Sequence, residues 1–287
     1  GDLDYVATNS LELPASNPGT PVYENTNGVG VNAAISGDYA YVADNGQGLA
    51  IINISDPTDP GTPSYVNTTG YAREVVISGN YAYVADEVSG LAIIDISNPG
   101  SPGTPSNVST TGKVWGLAIS GNYAYLAVST DGLAIIDISN PASPGTPVYE
   151  NTTGYANGVA ISGSYAYVAV RGSGLAVIDI SDPINPGAPV YENTSGSAYK
   201  IAIKGNYAYV ADGSSGLAII DISTPGNPGA PVYESTTGDA RGIAISGDYA
   251  YVADYSSGLA VIDISDPTDP GTPVYESTSQ NALGVTI

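Results

Sequence analysis

Gly247-Asp-Tyr-Ala-Tyr-Val-Ala-Asp254, followed by Gly258-Leu-Ala-Val-Ile-Asp-Ile-Ser265, decides the reading, because the chain keeps returning to it. Gly-x-Tyr-Ala-Tyr begins at Gly37, Gly79, Gly121, Gly163, Gly205 and Gly247, each 42 residues after the last. A fixed period of roughly 40–45 residues marks a repeat architecture with one supersecondary unit per repeat. Within residues 239–280 there are four short runs: 239–245, 249–253, 259–264 and 272–278. Each is bounded by Gly, Ser, Asn, Asp or Pro, and none has helical spacing, so each reads as a strand. Ser-Gly-Asp/Asn and the loops ending in Gly suit hairpins. Asp266-Pro-Thr-Asp-Pro-Gly271 is a turn fixed by proline.

Four antiparallel strands per repeat make a propeller blade. A β-solenoid is the competing repeat fold, but its coils are shorter and its strands pair with neighbouring repeats. The first strand, small and rich in Ala and Gly, is expected innermost. The fourth, polar and carrying Pro, is expected at the outer edge, where Pro and charge are tolerated.

Six full copies of the motif are present, and the chain ends suggest a seventh. Residues 281–287 align with 239–245, and Gly1-Asp-Leu-Asp-Tyr-Val-Ala-Thr8 aligns with Gly247–Asp254. The expectation is one all-β domain over residues 1–287, a seven-bladed β-propeller. Its closing blade would be shared between 281–287 and about 1–28, with a short third strand near Leu11-Glu-Leu13.

The chain has no Cys, which removes disulfides and thiol chemistry, and no His. It also has no Met, so it reads as a processed chain or part of a longer one. No apolar run approaches the ~20 residues of a membrane span, so no membrane insertion is expected within this chain. Twenty-eight acidic against six basic residues give a net charge of −22. That argues against nucleic acid and anionic membranes as partners and suits an extracellular or cell-surface setting. Asn-x-Ser/Thr occurs at Asn53, Asn67, Asn107, Asn151 and Asn193. Asn67, Asn151 and Asn193 share one repeat position after the outer strand, where a glycan could project; the same residues are also good turn chemistry. Asn53 replaces the third-strand Asp and is expected to be buried.

The third-strand motif Leu91-Ala-Ile-Ile-Asp-Ile-Ser97 resembles the LVIVD repeat family, and Tyr83-Val-Ala-Asp86 is similar to the YVTN-type propellers of archaeal surface-layer proteins. The resemblance covers nearly the whole chain. It implies a seven-bladed propeller on a prokaryotic cell surface and supplies no catalytic residues.

Repetition separates scaffold from site. The Asp at 95, 137, 179, 221 and 263 is expected to be a buried acceptor for turn N–H groups. Asp56, Asp59, Asp266 and Asp269 could offer carboxylates to Ca²⁺, but they fit Asx turns better. No metal, cofactor or phosphate-binding loop is implied. The residues that break the repeat carry more information. At the third position of the innermost strands stand Val31, Arg73, Trp115, Asn157, Tyr199, Arg241 and Leu283; at the next stand Asn32, Glu74, Gly116, Gly158, Lys200, Gly242 and Gly284. In a propeller this level is one mouth of the central channel. Arg73, Lys113, Arg171, Lys200 and Arg241 fall there, with the single Trp; Lys204 belongs to the other face. Arg73, Trp115, Asn157, Tyr199, Lys200 and Arg241 therefore form a candidate ligand site. The alternative is a solvated rim of cations balancing Asp44, Asp86, Asp212 and Asp254.

Three functions follow. One is a non-enzymatic extracellular structural or adhesion module whose partners are surface proteins or copies of itself. The second is a lectin-like binder of an extracellular acidic glycan at the mouth. The third is a hydrolase or lyase, which would have to rely on carboxylates, Tyr or Lys.

Overall fold

The structure is a computed structural model, and it describes residues 24–278 and 281–287. The described residues form six four-stranded antiparallel sheets, each ordered inner, second, third, outer along the chain. The inner strands are Asn32–Ser36, Ala72–Ser78, Val114–Ser120, Tyr155–Ser162, Lys200–Lys204 and Gly242–Ser246. Inner strands of successive blades touch one another, so they converge on a common channel. The outer strands are only three residues long, such as Val148–Glu150 and Val190–Glu192, which leaves little edge for further pairing.

Seven blades is corrected to six. The terminal repeat fragment, residues 281–287, makes one isolated bridge, Ala282 to Tyr255, and no strand. A seven-residue copy of an inner strand with no ladder of its own among the described residues builds no sheet. Its expected complement, including Leu11-Glu-Leu13, lies outside the described residues.

The hydrophobic core lies between blades. Alternate third-strand residues point to opposite neighbours, as the strand period of two requires. Ile94 joins Tyr41, Leu49 and Ile51 of the preceding blade, while Ile93 joins Leu117, Leu126 and Ile136 of the following one. Such side chains are at most 5% exposed, and each contributes about 1.5–3 kcal/mol on burial. Outer-strand tyrosines add a stitch. The hydroxyls of Tyr65, Tyr149, Tyr191, Tyr233 and Tyr275 each accept a backbone N–H from the segment leading into their blade, at 2.8–3.1 Å. In the second blade Asn107 stands at that position.

At the far face, the third-strand aspartates accept turn N–H groups as expected: Asp95 takes Ser97 N at 2.9 Å and Asp221 takes Ser223 N at 2.8 Å. Their expected burial is corrected, because all five are exposed. The strand ends at this residue, and its carboxylate turns outward into an Asx turn that already supplies its hydrogen bonds. Asn53 behaves the same way, exposed and bonded to Ser55 N at 2.9 Å.

Candidate functional site at the channel mouth

The second strands climb to the mouth, where Asp86 is the last strand residue and Asp44, Asp212 and Asp254 follow directly on theirs, all fully buried. Each accepts the backbone N–H of a glycine in the segment leading into its own blade: Gly28, Gly70, Gly196 and Gly238, at 2.7–3.0 Å. Thr26, Thr194 and Thr236 donate their hydroxyls to three of them at 2.6–2.8 Å. These carboxylates lock the blade crossings and do not form a solvated rim. Burial pushes the Asp44, Asp86 and Asp212 carboxyls above the ordinary range, although their hydrogen bonds act in the opposite direction.

Around this frame the mouth residues are displayed by irregular backbone. In the second, third and fourth blades the pairing register shifts at Ala72/Glu74, at Ala127/Val128 and at Ala156/Gly158. The extra residues are Arg73, Trp115 and Asn157. A β-bulge re-aims a side chain at the end of a strand, which is why the repeat tolerates such different residues there. At the next position, glycine lets blades meet backbone to backbone. A Cβ on Gly116 would lie 2.7 Å from Asn157 O, and one on Gly158 would lie 2.8 Å from Tyr199 O.

The six candidate residues all reach this mouth but divide into two groups. In the first, Arg73 lies over Trp115, with its guanidinium carbon 4.9 Å from the ring centroid, and over Tyr71 at 5.8 Å. Its Nε also donates to Glu87 Oε2 at 2.7 Å, and Lys113 Nζ donates to Glu87 Oε1 at 2.5 Å. Glu87 is buried, which opposes its ionisation. The hydrogen bonds and charges of Lys113 and Arg73 outweigh that and hold its carboxyl below the usual range. One carboxylate thus neutralises much of this half of the mouth.

In the second group, two guanidiniums lie over Tyr199: Arg171 at 5.1 Å and Arg241 at 4.2 Å. Arg241 also lies 5.4 Å from the Tyr255 centroid. Tyr255 adopts a φ of 45°, an unusual conformation for a bulky residue, and is held there by its hydrogen-bonded bridge to Ala282. Arg241 Nη2 donates to Asp239 Oδ2 at 2.5 Å, while its Nε is buried without an acceptor. Asn157 is 8% exposed, and its Nδ2 likewise has none.

Lys200 joins the two groups. From the fifth blade its Nζ reaches Glu74 Oε2 of the second blade at 2.6 Å, close to Trp115 O of the third at 3.4 Å. Glu74 Oε2 also accepts Leu117 N at 2.7 Å. This ion pair spans the channel.

Glu87 and Tyr255 were missing from the sequence-derived set, and Arg171, placed at the mouth among its cations, was left out of the six ligand candidates. A signal for them exists: Asn45, Glu87, Ser129, Arg171, Gly213 and Tyr255 form a second 42-residue column that varies freely, one residue past the buried Asp position. Asp56 and Asp266 use Oδ1 to accept both N–H and hydroxyl of Thr58 and Thr268, at 2.6–2.9 Å. Among the described residues no group of three or more metal-ligating acidic, His or Cys side chains occurs. Asn67, Asn151 and Asn193 are all exposed just beyond outer strands.

Solved structures with this fold have little sequence in common with the chain. A functionally unknown protein from Desulfotomaculum acetoxidans DSM 771 aligns over 93% of this chain and 92% of that one, with a TM-score of 0.74 and 16% identity. The β-propeller domain of Cps50 (Swd1) from Myceliophteria thermophila aligns over 91% and 90%, with a TM-score of 0.70 and 13% identity. Apo AztD from Citrobacter koseri aligns over 88% and 73%, with a TM-score of 0.55 and 17% identity. At such identities the likeness establishes fold alone. No curated protein matches the sequence. The LVIVD repeat pattern matches residues 28–68, 69–110, 111–147, 153–189, 195–231 and 237–272, one match for each described blade. With six repeats spanning most of its length, the chain belongs to the LVIVD repeat family.

Proposed function

We propose that the chain is a non-catalytic interaction module displayed outside the cell, and that the mouth is its binding face. One observation carries this reading. Sequence that is strictly repeated elsewhere diverges at the mouth, and there it places Arg, Tyr and Trp in mutual contact on irregular backbone. Arg, Tyr and Trp are the residues that anchor interfaces. The composition supports exposure at the cell surface: the chain is strongly acidic, and its repeated sequons stand in solvent. Asp44, Asp86 and Asp212, whose ionisation burial opposes, are fully buried in the blade connections and bonded to glycine N–H groups, with Thr26 and Thr194 hydroxyls added at Asp44 and Asp212.

The test is site-specific photo-crosslinking on intact producing cells. Probes at Tyr71 and Tyr155, both about half exposed at the mouth, are compared with probes at Tyr249 and Val274 away from it. Capture of a discrete surface partner from the mouth positions alone is expected. Equal capture from Tyr249 and Val274, or none from Tyr71 and Tyr155, would defeat the reading.

A further inference from the structure

The five mouth cations are not equivalent. Arg73 and Lys113 share the buried Glu87, and Lys200 is held by Glu74. Arg171 is exposed and has no carboxylate within ion-pair distance among the described residues; its guanidinium lies over the Tyr199 ring. Arg241 uses Nη2 on Asp239 and leaves a buried Nε–H without an acceptor. Asn157 leaves its Nδ2 in the same condition, nine-tenths buried. Nearly all buried polar groups in proteins are paired, so two unpaired donors at one level need a physical explanation.

These groups are neighbours. Arg171 and Arg241 both lie over Tyr199. Asn157 precedes Gly158, where a Cβ would lie 2.8 Å from Tyr199 O. Tyr155, an aromatic ring 54% exposed, is the cross-strand partner of Arg171. The two buried unpaired groups in this cluster are both donors, and beside them stands an exposed aromatic ring.

We propose that the fourth, fifth and sixth blades form a subsite for an acidic sugar residue. The carboxylate of a uronate would pair with the exposed Arg171 guanidinium and, as the side chains covering them turn aside, accept from Arg241 Nε and Asn157 Nδ2, and the pyranose C–H face would rest on Tyr155. A guanidinium with a carboxylate forms one of the stronger pairings available, and an amphipathic ring with a polar edge matches an aromatic surface flanked by donors. Asp239 is the internal competitor: it holds one nitrogen of Arg241 and places a like charge beside the ligand. The proposal rests on the mouth being the binding face and specifies the ligand class that one half of it takes.

The experiment is a titration of the whole chain, followed by NMR of the Arg Nε–H and Asn side-chain amide resonances. The probes are D-glucuronate, D-glucose (the neutral ring) and acetate (the carboxylate without a ring). Saturable shifts at Arg241 Nε–H and Asn157 Nδ2 are expected with glucuronate, with glucose and acetate about tenfold weaker or more. Arg171→Gln, an exposed change, is expected to weaken glucuronate binding about tenfold, and Asp239→Asn to tighten it severalfold. No saturation, equal response to acetate, or indifference to both variants overturns the proposal. If cross-linking from the mouth still captures a partner while glucuronate has no effect, this inference alone falls; if both fail, the binding-face reading falls with it.

Discussion

On the mouth face, Asp44, Asp86, Asp212 and Asp254 stand at the ends of four second strands, with none of their surface exposed. On the far face, five third strands end in Asp95, Asp137, Asp179, Asp221 and Asp263, all standing in solvent. The residue type and the 42-residue period are the same. The near set is enclosed because the incoming chain, Thr-x-Gly, folds over it and delivers hydrogen bonds. The far set is covered by nothing and bonds two residues along its own turn. The environments shift their acidity in opposite directions. Burial raises the Asp44, Asp86 and Asp212 carboxyls, whereas hydrogen bonds from Ser97 and its equivalents lower the far set. Repetition therefore identifies a structural position without revealing whether it is inside.

Deleting one member of each set tests the contrast most strongly. Asp212→Ala leaves Gly196 N–H and the Thr194 hydroxyl without their acceptor at a closed site and is expected to cost about 2–6 kcal/mol of unfolding free energy, at about 1–3 kcal/mol per orphaned group. Asp221→Ala loses an exposed turn bond and is expected to shift the urea midpoint far less. Equal shifts would break the distinction.

The same division applies to two lysines four residues apart on one strand. Lys200 points into the channel and bonds Glu74, with both side chains mostly covered; Lys204 bonds Asp248 on the far face, where both are well exposed. Lys200→Met strands Glu74 and is expected to cost about 1–3 kcal/mol, with a double-mutant cycle against Glu74→Gln showing the coupling. Lys204→Met is expected to stay within about 0.5 kcal/mol. A larger effect from Lys204 would mean that the channel pair does not hold the blades together.

Acidity sharpens the comparison further. A carboxyl raised on folding contributes stability below its unfolded pKa and loses it as pH rises through the folded value. Asp44, Asp86 and Asp212 should therefore weaken the fold as pH climbs out of the carboxylate range. The depressed far-face set contributes above its unfolded pKa and loses that contribution as pH falls through the folded values. Asp212→Asn should flatten the fall in stability that begins as pH rises above the unfolded carboxyl value, and Asp221→Asn the fall as pH drops below it. Two variant profiles parallel to wild type would remove this account. At the blade periphery, Tyr233→Phe deletes the acceptor for Ser195 N–H. A loss of about 0.5–1.5 kcal/mol in equilibrium unfolding is expected; a null result would reduce the tyrosine stitch to packing.

Much of this was visible before the fold. The period, the four strands per repeat and the inner-to-outer order follow from turn residues at fixed offsets. The mouth was legible as a column of exceptions at Arg73, Trp115, Asn157, Tyr199 and Arg241. Its division was not legible, because Glu87 sits 14 residues from Arg73 and 26 from Lys113, and Lys200 is three repeats from Glu74. Pairings that cross blades leave no local pattern. The blade count also failed locally: a seven-residue echo of an inner strand looks like a repeat until its partners are sought.

Sequence alone determined that this chain is a propeller of 42-residue blades, because strand period, hairpin glycines and proline turns act over a few residues and recur at every repeat. Tertiary structure alone decided how many blades stand, which aspartates are buried, and which cations remain unpaired. Those outcomes depend on contacts between residues tens to more than a hundred positions apart, which form only when the blades close around a common channel.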